Sequence, residues 1–505
     1  MDGETGPQPS PSGAGLDSAR FRGLTADQWP PVLFLLGALA AGLWLDPGLT
    51  LAVLVWLGWT FFSCTGVLRA MTAPLSTGRA PEAPPLRRWP RYTVVAPLRG
   101  EAEVVRALIA RLDAIDYPRH RLQGLIVVEP DDPETVAAAM TARRPAWLQV
   151  VVAPPGEPRT KPRALNVALG LATGSLITVY DAEDDPDPLQ LKEAAARFAV
   201  EAPSLACLQA PLRIRTPRRG RGDAFLHAQF AAEYAALFDV VLPALARLGW
   251  PFPLGGTSNH FRVEALRRVG GWDAWNVTED ADLGFRLWRG GYRLGVLNRP
   301  TYEPPPADFE QWLPQRTRWL KGHLQTWGVH MRRPWRLGWR GLLALQLTLG
   351  QSLAAAAIHA VTAAWLISVL LIWGGTGLNP LAPPPALATL AIGCASAWLL
   401  CAIGSARAGL PYPWRTILGA PAYWILQSLA LGHAVVRLVR APFAWDKTHH
   451  GLEDIRVHER TPPLDATRAS GQSAGDGPRL RHARNARHPA LARLRAPRQR
   501  RREEA

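Results

Sequence analysis

The chain has 505 residues, a formal net charge of +16 and a sequence pI near 10.5. That length gives room for two or three domains. Four scattered cysteines (Cys64, Cys207, Cys394 and Cys401) exclude a disulfide framework and a cysteine metal cluster, and no zinc-ligand spacing or nucleic-acid module accompanies the basic excess.

The first twenty residues are rich in Gly, Pro and Ser and lack a charged start followed by a cleavable apolar core, so 1–28 reads as a disordered leader. Apolar runs at 31–45 and 49–68, separated by Asp46-Pro47-Gly48, read as a transmembrane hairpin over 29–70. Arg20 and Arg22 precede it, and Arg69, Arg79, Arg87 and Arg88 follow, while its tight loop has no Lys or Arg. The positive-inside rule then puts both ends in the cytoplasm.

After a Pro-rich linker the composition becomes that of a soluble α/β domain over 88–335. Strand-like runs at 93–97, 125–129, 148–153 and 176–181 alternate with helical stretches at 101–115, 161–172 and 189–200. This alternation predicts a parallel sheet with crossover helices, whose ligands bind at the carboxyl ends of the strands. Residues 341–440 are apolar again, in runs at 341–373, 384–404 and 415–440. To keep the following basic segment on the cytoplasmic side, either 341–373 makes two short passes or the last run, which carries Gln427, His433, Arg437 and Arg440, lies mostly in the interface; those polar residues favour the second. The tail at 461–505 reads as disordered, and its arginines suit anionic lipid headgroups.

Six segments carry candidate chemistry. Glu129-Pro-Asp131-Asp132 closes the second strand with carboxylates that can accept from a base or ribose. Lys161-Pro-Arg163 opens a helix, a natural phosphate site. Asp181-Ala-Glu183-Asp184-Asp185 ends an apolar strand, and acids so crowded suit Mg2+ or Mn2+. Gly255-Gly-Thr-Ser-Asn259-His260 is a glycine-rich loop. Thr278-Glu279-Asp280-Ala-Asp282 precedes a helix over 283–289, which Thr278 can cap, and offers Asp280 as a general base. Gln315-x-x-Arg318-Trp319 sets a polar donor, a cation and an aromatic ring on a helix beside the membrane.

Taken in order, Asp131-Asp132, Asp181-x-Glu183, Thr278-Glu279-Asp280 and Gln315-x-x-Arg318-Trp319 resemble the signature of membrane-embedded processive family 2 glycosyltransferases, the group that includes the bacterial cellulose synthase catalytic subunit. Trp445-Asp-Lys447-Thr448-His-His450-Gly451 is similar to a late motif of a β-glucan synthase subgroup. The resemblance implies a cytoplasmic GT-A (Rossmann-like) domain inserted between transmembrane helices of a multi-pass bacterial inner-membrane enzyme. It implies that Asp131, Asp132 and Lys161 hold a UDP-sugar, that Asp181 and Glu183 bind Mg2+ or Mn2+ and the diphosphate, and that Gln315 and Arg318 grip the diphosphate. Asp280 would deprotonate the acceptor, with Glu279 and Trp319 against the acceptor sugar. Glu183 stands where the usual motif has Asp, so Asp184 is an alternative ligand. The implied reaction is inverting transfer of a sugar, glucose by the resemblance, to a growing β-linked polysaccharide, with export across the membrane and an export partner. The alternative is a single transfer to a lipid acceptor. A gating segment is expected over 441–460, and specific nucleic acid is not an expected partner.

Overall fold

The structure, a computed structural model, describes residues 17–21, 23–77, 80–215, 223–376 and 384–444. The expectations for 1–16, for 445–460 of the gating segment and for the tail at 461–505 lie outside the described residues.

Two helices, α1 (Trp29–Leu45) and α2 (Pro47–Ala70), open the chain as a hairpin whose turn is capped by Asp46, which accepts from the Leu49 N–H. α1 has no buried residue, and side chains such as Phe34 and Trp44 face outward. There follow β1 (Tyr92–Leu98), α3 (Val105–Asp113), β2 (Leu122–Val128), α4 (Pro133–Thr141), β3 (Leu148–Val152), α5 (Lys161–Leu171), β4 (Leu176–Val179), β5 (Asp185–Pro186), α6 (Gln190–Val200), β6 (Leu205–Gln209) and β7 (Leu212–Ile214). α7 (Ala224–Ala236) continues through a π turn at Leu237–Val241. β8 (Asn259–Arg262), α8 (Glu279–Arg289), β9 (Arg293–Val296), β10 (Thr301–Glu303) and α9 (Phe309–Met331) complete the domain. Three long apolar helices end the described chain: α10 (Gln351–Thr376), α11 (Pro384–Ala408) and α12 (Trp414–Arg440).

The main sheet has the order β3-β2-β1-β4-β8-β6-β9. β1, β2, β3 and β4 are mutually parallel, and β8 runs antiparallel to both β4 and β6. β1 and β4 are buried along nearly their whole length, which is why they read as unbroken apolar runs. The reversal at β8 brings the loop entering β8 to the same sheet end as the acids leaving β4. A second sheet, β5-β10-β7, stands beside them and aims Glu303 toward the same place.

Among the described residues, length and apolarity qualify six helices to cross a membrane, including Ala224–Arg247. That segment is mostly buried in the fold and forms an inner helix beneath the site. α11 packs along α2 and α7, whereas α10 packs along α12.

The leader departs from expectation. From Asp17 on it is packed, not disordered: Asp273 accepts from Ser18 Oγ (2.9 Å) and from the Ala19 N–H (2.7 Å), and Arg332 donates to the Ser18 and Phe21 carbonyls. Its polarity hides this, because its partners are carboxylate and guanidinium groups far along the chain, and an apolar pattern does not register them.

Candidate active site

Four sequence-distant segments meet at the carboxyl end of β4. Lys161, at the start of α5, places Nζ 2.5 Å from Asp181 Oδ1 and donates to the Gly256 carbonyl (2.7 Å). Gly256 marks the meeting point: a Cβ there would stand in ordinary contact with all three groups, 3.4 Å from Asp280 Oδ2, 3.6 Å from Lys161 Nζ and 3.9 Å from Asp181 Oδ2. The acid of β4, the cation of α5, the loop into β8 and the first turn of α8 therefore converge on one point.

Electrostatics separates the roles of these acids. Burial pushes the Asp280 carboxyl up to about 6, against the Ala281 N–H and the Lys161 charge, which pull it down. Burial and the neighbouring Asp280 push Glu279 up to about 8. Near neutrality Asp280 is ionised and Glu279 holds its proton. Burial disfavours the Lys161 ammonium, but the Asp181 carboxylate beside it, with Asp280, outweighs this and keeps Lys161 charged.

The acidic run splits. Asp181 and Glu183 line the cavity. Asp184 is fully buried and turned inward, with Oδ2 accepting from the Asp181 N–H (2.7 Å) and from Thr257 Oγ1. It positions the turn, which favours Glu183 over Asp184 as a cation ligand. Two carboxylates suit a hard divalent ion that completes its shell with phosphate oxygens. Among the described residues no group of three His, Cys, Asp or Glu side chains forms a self-sufficient metal cage. Asp181 and Glu183 thus fit a cation that arrives with a diphosphate.

At the other end, Asp131 Oδ2 accepts from Arg99 (3.0 Å) and Arg159 (2.8 Å). Asp132 caps α4 through the Thr135 N–H and also accepts from the Gly100 N–H. Both line the cavity, but Asp132 is committed to shaping the loop. Arg163 belongs to the framework, paired with Glu129 (3.1 Å), so the expected pair of phosphate-binding cations at the start of α5 reduces to Lys161. Thr278 does not cap α8 with its side chain: its Oγ1 lies near Asn276 Oδ1 and Thr326 Oγ1. α8 begins at Glu279, four residues earlier than expected. Within the glycine-rich loop, Gly256 and Thr257 reach the cavity, whereas His260 is in the core, bound to Tyr92 and Gln190.

α9 carries Gln315, Arg318 and Trp319, and all three line the cavity. Arg318 is half-buried and faces Asp181, Glu279, Glu183 and Asp280. Trp319 stacks on Phe230 (5.8 Å between centroids) and lies 6.0 Å from Tyr234. Motif spacing gave no role to Arg316. It binds both Glu233 oxygens (2.9 and 2.7 Å) and the Tyr423 hydroxyl (2.8 Å), and its guanidinium lies 4.7 Å from the Trp319 ring centre. It joins α9, α7 and α12 under the tryptophan. Glu303 was also missed, since it belongs to no acidic cluster in sequence. It lines the cavity, and burial followed by the charges of Asp184, Glu183 and Asp181 holds its carboxyl well above the usual range.

One continuous cavity of about 1980 Å³ joins these groups to the apolar helices. It passes from Asp131 and Lys161 by Asp280 and Trp319, then between the α10/α12 and α2/α11 packages, where Trp59, Phe62, Leu366 and Leu390 line it. Phe443 and Ala444 also line it, and Phe443 meets Trp275 edge-on at 4.9 Å.

Residues 176–400 match the model of glycosyl transferase family group 2. The chain is similar to a beta-monoglucosyldiacylglycerol synthase of Synechocystis sp., with 27% identity over 59% of this chain and 63% of that protein. It is similar to cellulose synthase 1 of Komagataeibacter xylinus, with 25% identity over 51% of this chain and 16% of that one. A mannosyltransferase from Pyrobaculum calidifontis, solved in complex with GDP-Man and Mn2+, aligns at TM-score 0.49 with 19% identity, covering 77% of this chain and 98% of that one. The chain spans less than two thirds of the length of the first curated relatives it matches. The mixed sheet with its acids at the carboxyl end of β4, together with the match over residues 176–400, makes this a glycosyltransferase domain of the GT-A fold, flanked by helices fit to cross a membrane.

Proposed function

We propose that the chain transfers a sugar, glucose by the resemblance, from a UDP-sugar to an acceptor hydroxyl with inversion, giving a β-linked product at the bacterial inner membrane. The observation that carries this reading is the continuous cavity running from the Lys161, Asp181 and Asp280 cluster past Trp319 into the membrane helices.

Asp280 takes the acceptor proton while the hydroxyl oxygen attacks the anomeric carbon. The bond from that carbon to the diphosphate breaks, and UDP leaves with the electron pair. Arg318 and Lys161 face the charge that develops on the leaving group, in a buried setting where such charges count for most. Asp181 and Glu183 would hold Mg2+ or Mn2+, which when bound neutralises the diphosphate. A single displacement needs no second carboxylate as nucleophile. Asp131 holds the nucleoside end on the loop that Asp132 shapes, Gln315 holds the diphosphate, and Glu279, protonated, can donate to an acceptor oxygen.

An interfacial α12 has support at both of its ends. Gln229 of α7 donates to the Thr416 carbonyl at its start, and Lys321 of α9 donates to the Ala444 carbonyl just past its end. These two ties to helices of the catalytic domain support an α12 that lies along the interface. Four spans (α1, α2, α10 and α11) then leave the catalytic domain and both flanks in the cytoplasm.

Two acceptors compete. A growing polysaccharide, with an export partner beyond the membrane, is supported by Trp319 as a sugar platform. A membrane lipid is supported by the apolar lining and by the position of the cleft between two separately packed helix packages, a geometry that admits chains from the side. The lining favours the lipid. Purified protein given a panel of radiolabelled UDP-sugars in native membranes separates them by product: one sugar on an extractable lipid, or a long chain. Asp280→Asn should abolish either product while retaining UDP binding; brisk transfer by that variant removes Asp280 as the base.

A further inference from the structure

The membrane-side half of the cavity holds one cation that the reaction does not use. α2 turns Val55, Trp59, Phe62 and Arg69 toward the cavity along one helical stripe. The first three are apolar, and the last sits one residue from the end of the helix. The Arg69 guanidinium makes no hydrogen bond or ion pair among the described residues. It faces Glu233 and the Cys401 thiol. Both Glu233 oxygens are already held by Arg316, and the Tyr423 hydroxyl donates to one of them (2.8 Å). The neck between the catalytic acids and the apolar cleft therefore carries two guanidinium groups against one carboxylate. An arginine near a helix end ordinarily snorkels outward to the headgroups. Arg69 lines the catalytic cavity instead.

We propose that Arg69 binds the phosphate of an anionic lipid acceptor, whose apolar chains lie in the cleft between the α10/α12 and α2/α11 packages and whose hydroxyl-bearing head group reaches past Trp319 to Asp280. This rests on the lipid-acceptor reading above and names the acceptor class: a polyol or sugar joined to its chains through a phosphodiester. The order of groups along the cavity matches the order of groups in such a molecule. Apolar walls come first and Arg69 next. The Trp319 ring follows, coupled through Arg316 to the Glu233 that Arg69 faces. Arg318 and Asp280 stand last. A guanidinium fork suits a phosphate better than an ammonium would.

The test uses the full chain in phosphate-free amine-oxide micelles with a radiolabelled UDP-sugar. Phosphatidylglycerol is compared with dioleoylglycerol, which has matching chains and a free hydroxyl but no phosphate. The expected KM for phosphatidylglycerol is at least about tenfold below that for dioleoylglycerol. Arg69→Gln should bring the ratio of the two KM values to near one, and Arg69→Lys should keep part of the preference. Equal use of the two lipids by the unmodified protein, an unchanged ratio in Arg69→Gln, or full competition by inorganic phosphate alone would overturn the assignment. Formation of a long polymer with no lipid labelled would instead refute the lipid reading on which it rests.

Discussion

Gly322 offers the sharpest test of how the membrane-side helix controls Asp280, the proposed base. It lies on α9 one turn beyond Arg318, and its bare backbone presses on Thr278, the residue before Glu279 and Asp280. A Cβ at Gly322 would stand 2.8 Å from Thr278 Cβ and closer still to its Oγ1 and Cγ2. Rotating the threonine moves the outer two atoms but not its Cβ, and ordinary contact begins near 3.4 Å, so the backbones must part by at least about 0.6 Å. Thr278 cannot yield freely, because its N–H donates to Asn276 Oδ1, and Asn276 in turn donates to Thr326 Oγ1 on the same α9. The displacement therefore falls on the start of α8 and on Asp280. A misplacement of that order at a reacting group costs roughly 10²-fold in rate. Gly322→Ala should lower kcat about that much and leave the donor KM nearly unchanged, measured as UDP release with saturating acceptor. Gly328→Ala is the control: it sits on the same helix with nothing within 4 Å of its added methyl, and should be silent or stabilising by up to about 1 kcal/mol. A Gly322→Ala enzyme with ordinary kcat would show that α9 and the base are not rigidly coupled.

Activity against pH should report Asp280. With its carboxyl held near 6, kcat/KM should fall about tenfold per pH unit below 6 and level off above it, and Lys161→Met should move that limb upward by removing the cation that favours the ionised form. A limb near pH 4 would contradict the buried setting of this acid. Arg316→Gln leaves Glu233 without its bidentate partner and should cost about 1–3 kcal/mol in thermal unfolding, together with a loss of kcat as Trp319 loses its support; an unaltered Tm would reduce Arg316 to a spectator. Asp282 is buried, and although burial opposes its charge, Arg286 and His330 hold its carboxyl down to about 2, from an ordinary 3.8. A carboxyl depressed on folding stabilises above its unfolded value and loses that contribution as pH falls through its folded value, so stability should decline between about pH 4 and 2. Asp282→Asn should flatten that decline.

The α/β alternation and the acids at strand ends were legible because parallel strands buried on both faces must be continuously apolar, and because acids directly after such strands stand out. Strand placement at 93–97 and 176–181 therefore falls within a residue or two of β1 and β4. Which acid faces the cavity was not legible: Glu183 and Asp184 are adjacent and chemically alike, and only the turn after β4 sends one outward and buries the other. Arg316 and Arg318 pose the same difficulty, two arginines two apart on one helix that face a glutamate of α7 and the catalytic acids respectively. The packed leader was invisible for a different reason, since its partners lie more than 250 residues away.

That distance has a consequence for how the enzyme comes into being. The contacts of Ser18 and Ala19 wait for Asp273, and those of Ser18 and Phe21 wait for Arg332. A ribosome adding about 5–20 residues per second leaves the first segment without these partners for on the order of tens of seconds. The α1–α2 hairpin is by then already made and available to the membrane. The leader can settle against the domain only after the Asp273 loop and the end of α9 have been synthesised. Docking of the Ser18–Phe21 segment is thus a late event in assembly, and it closes beside the loop that leads into Glu279 and Asp280.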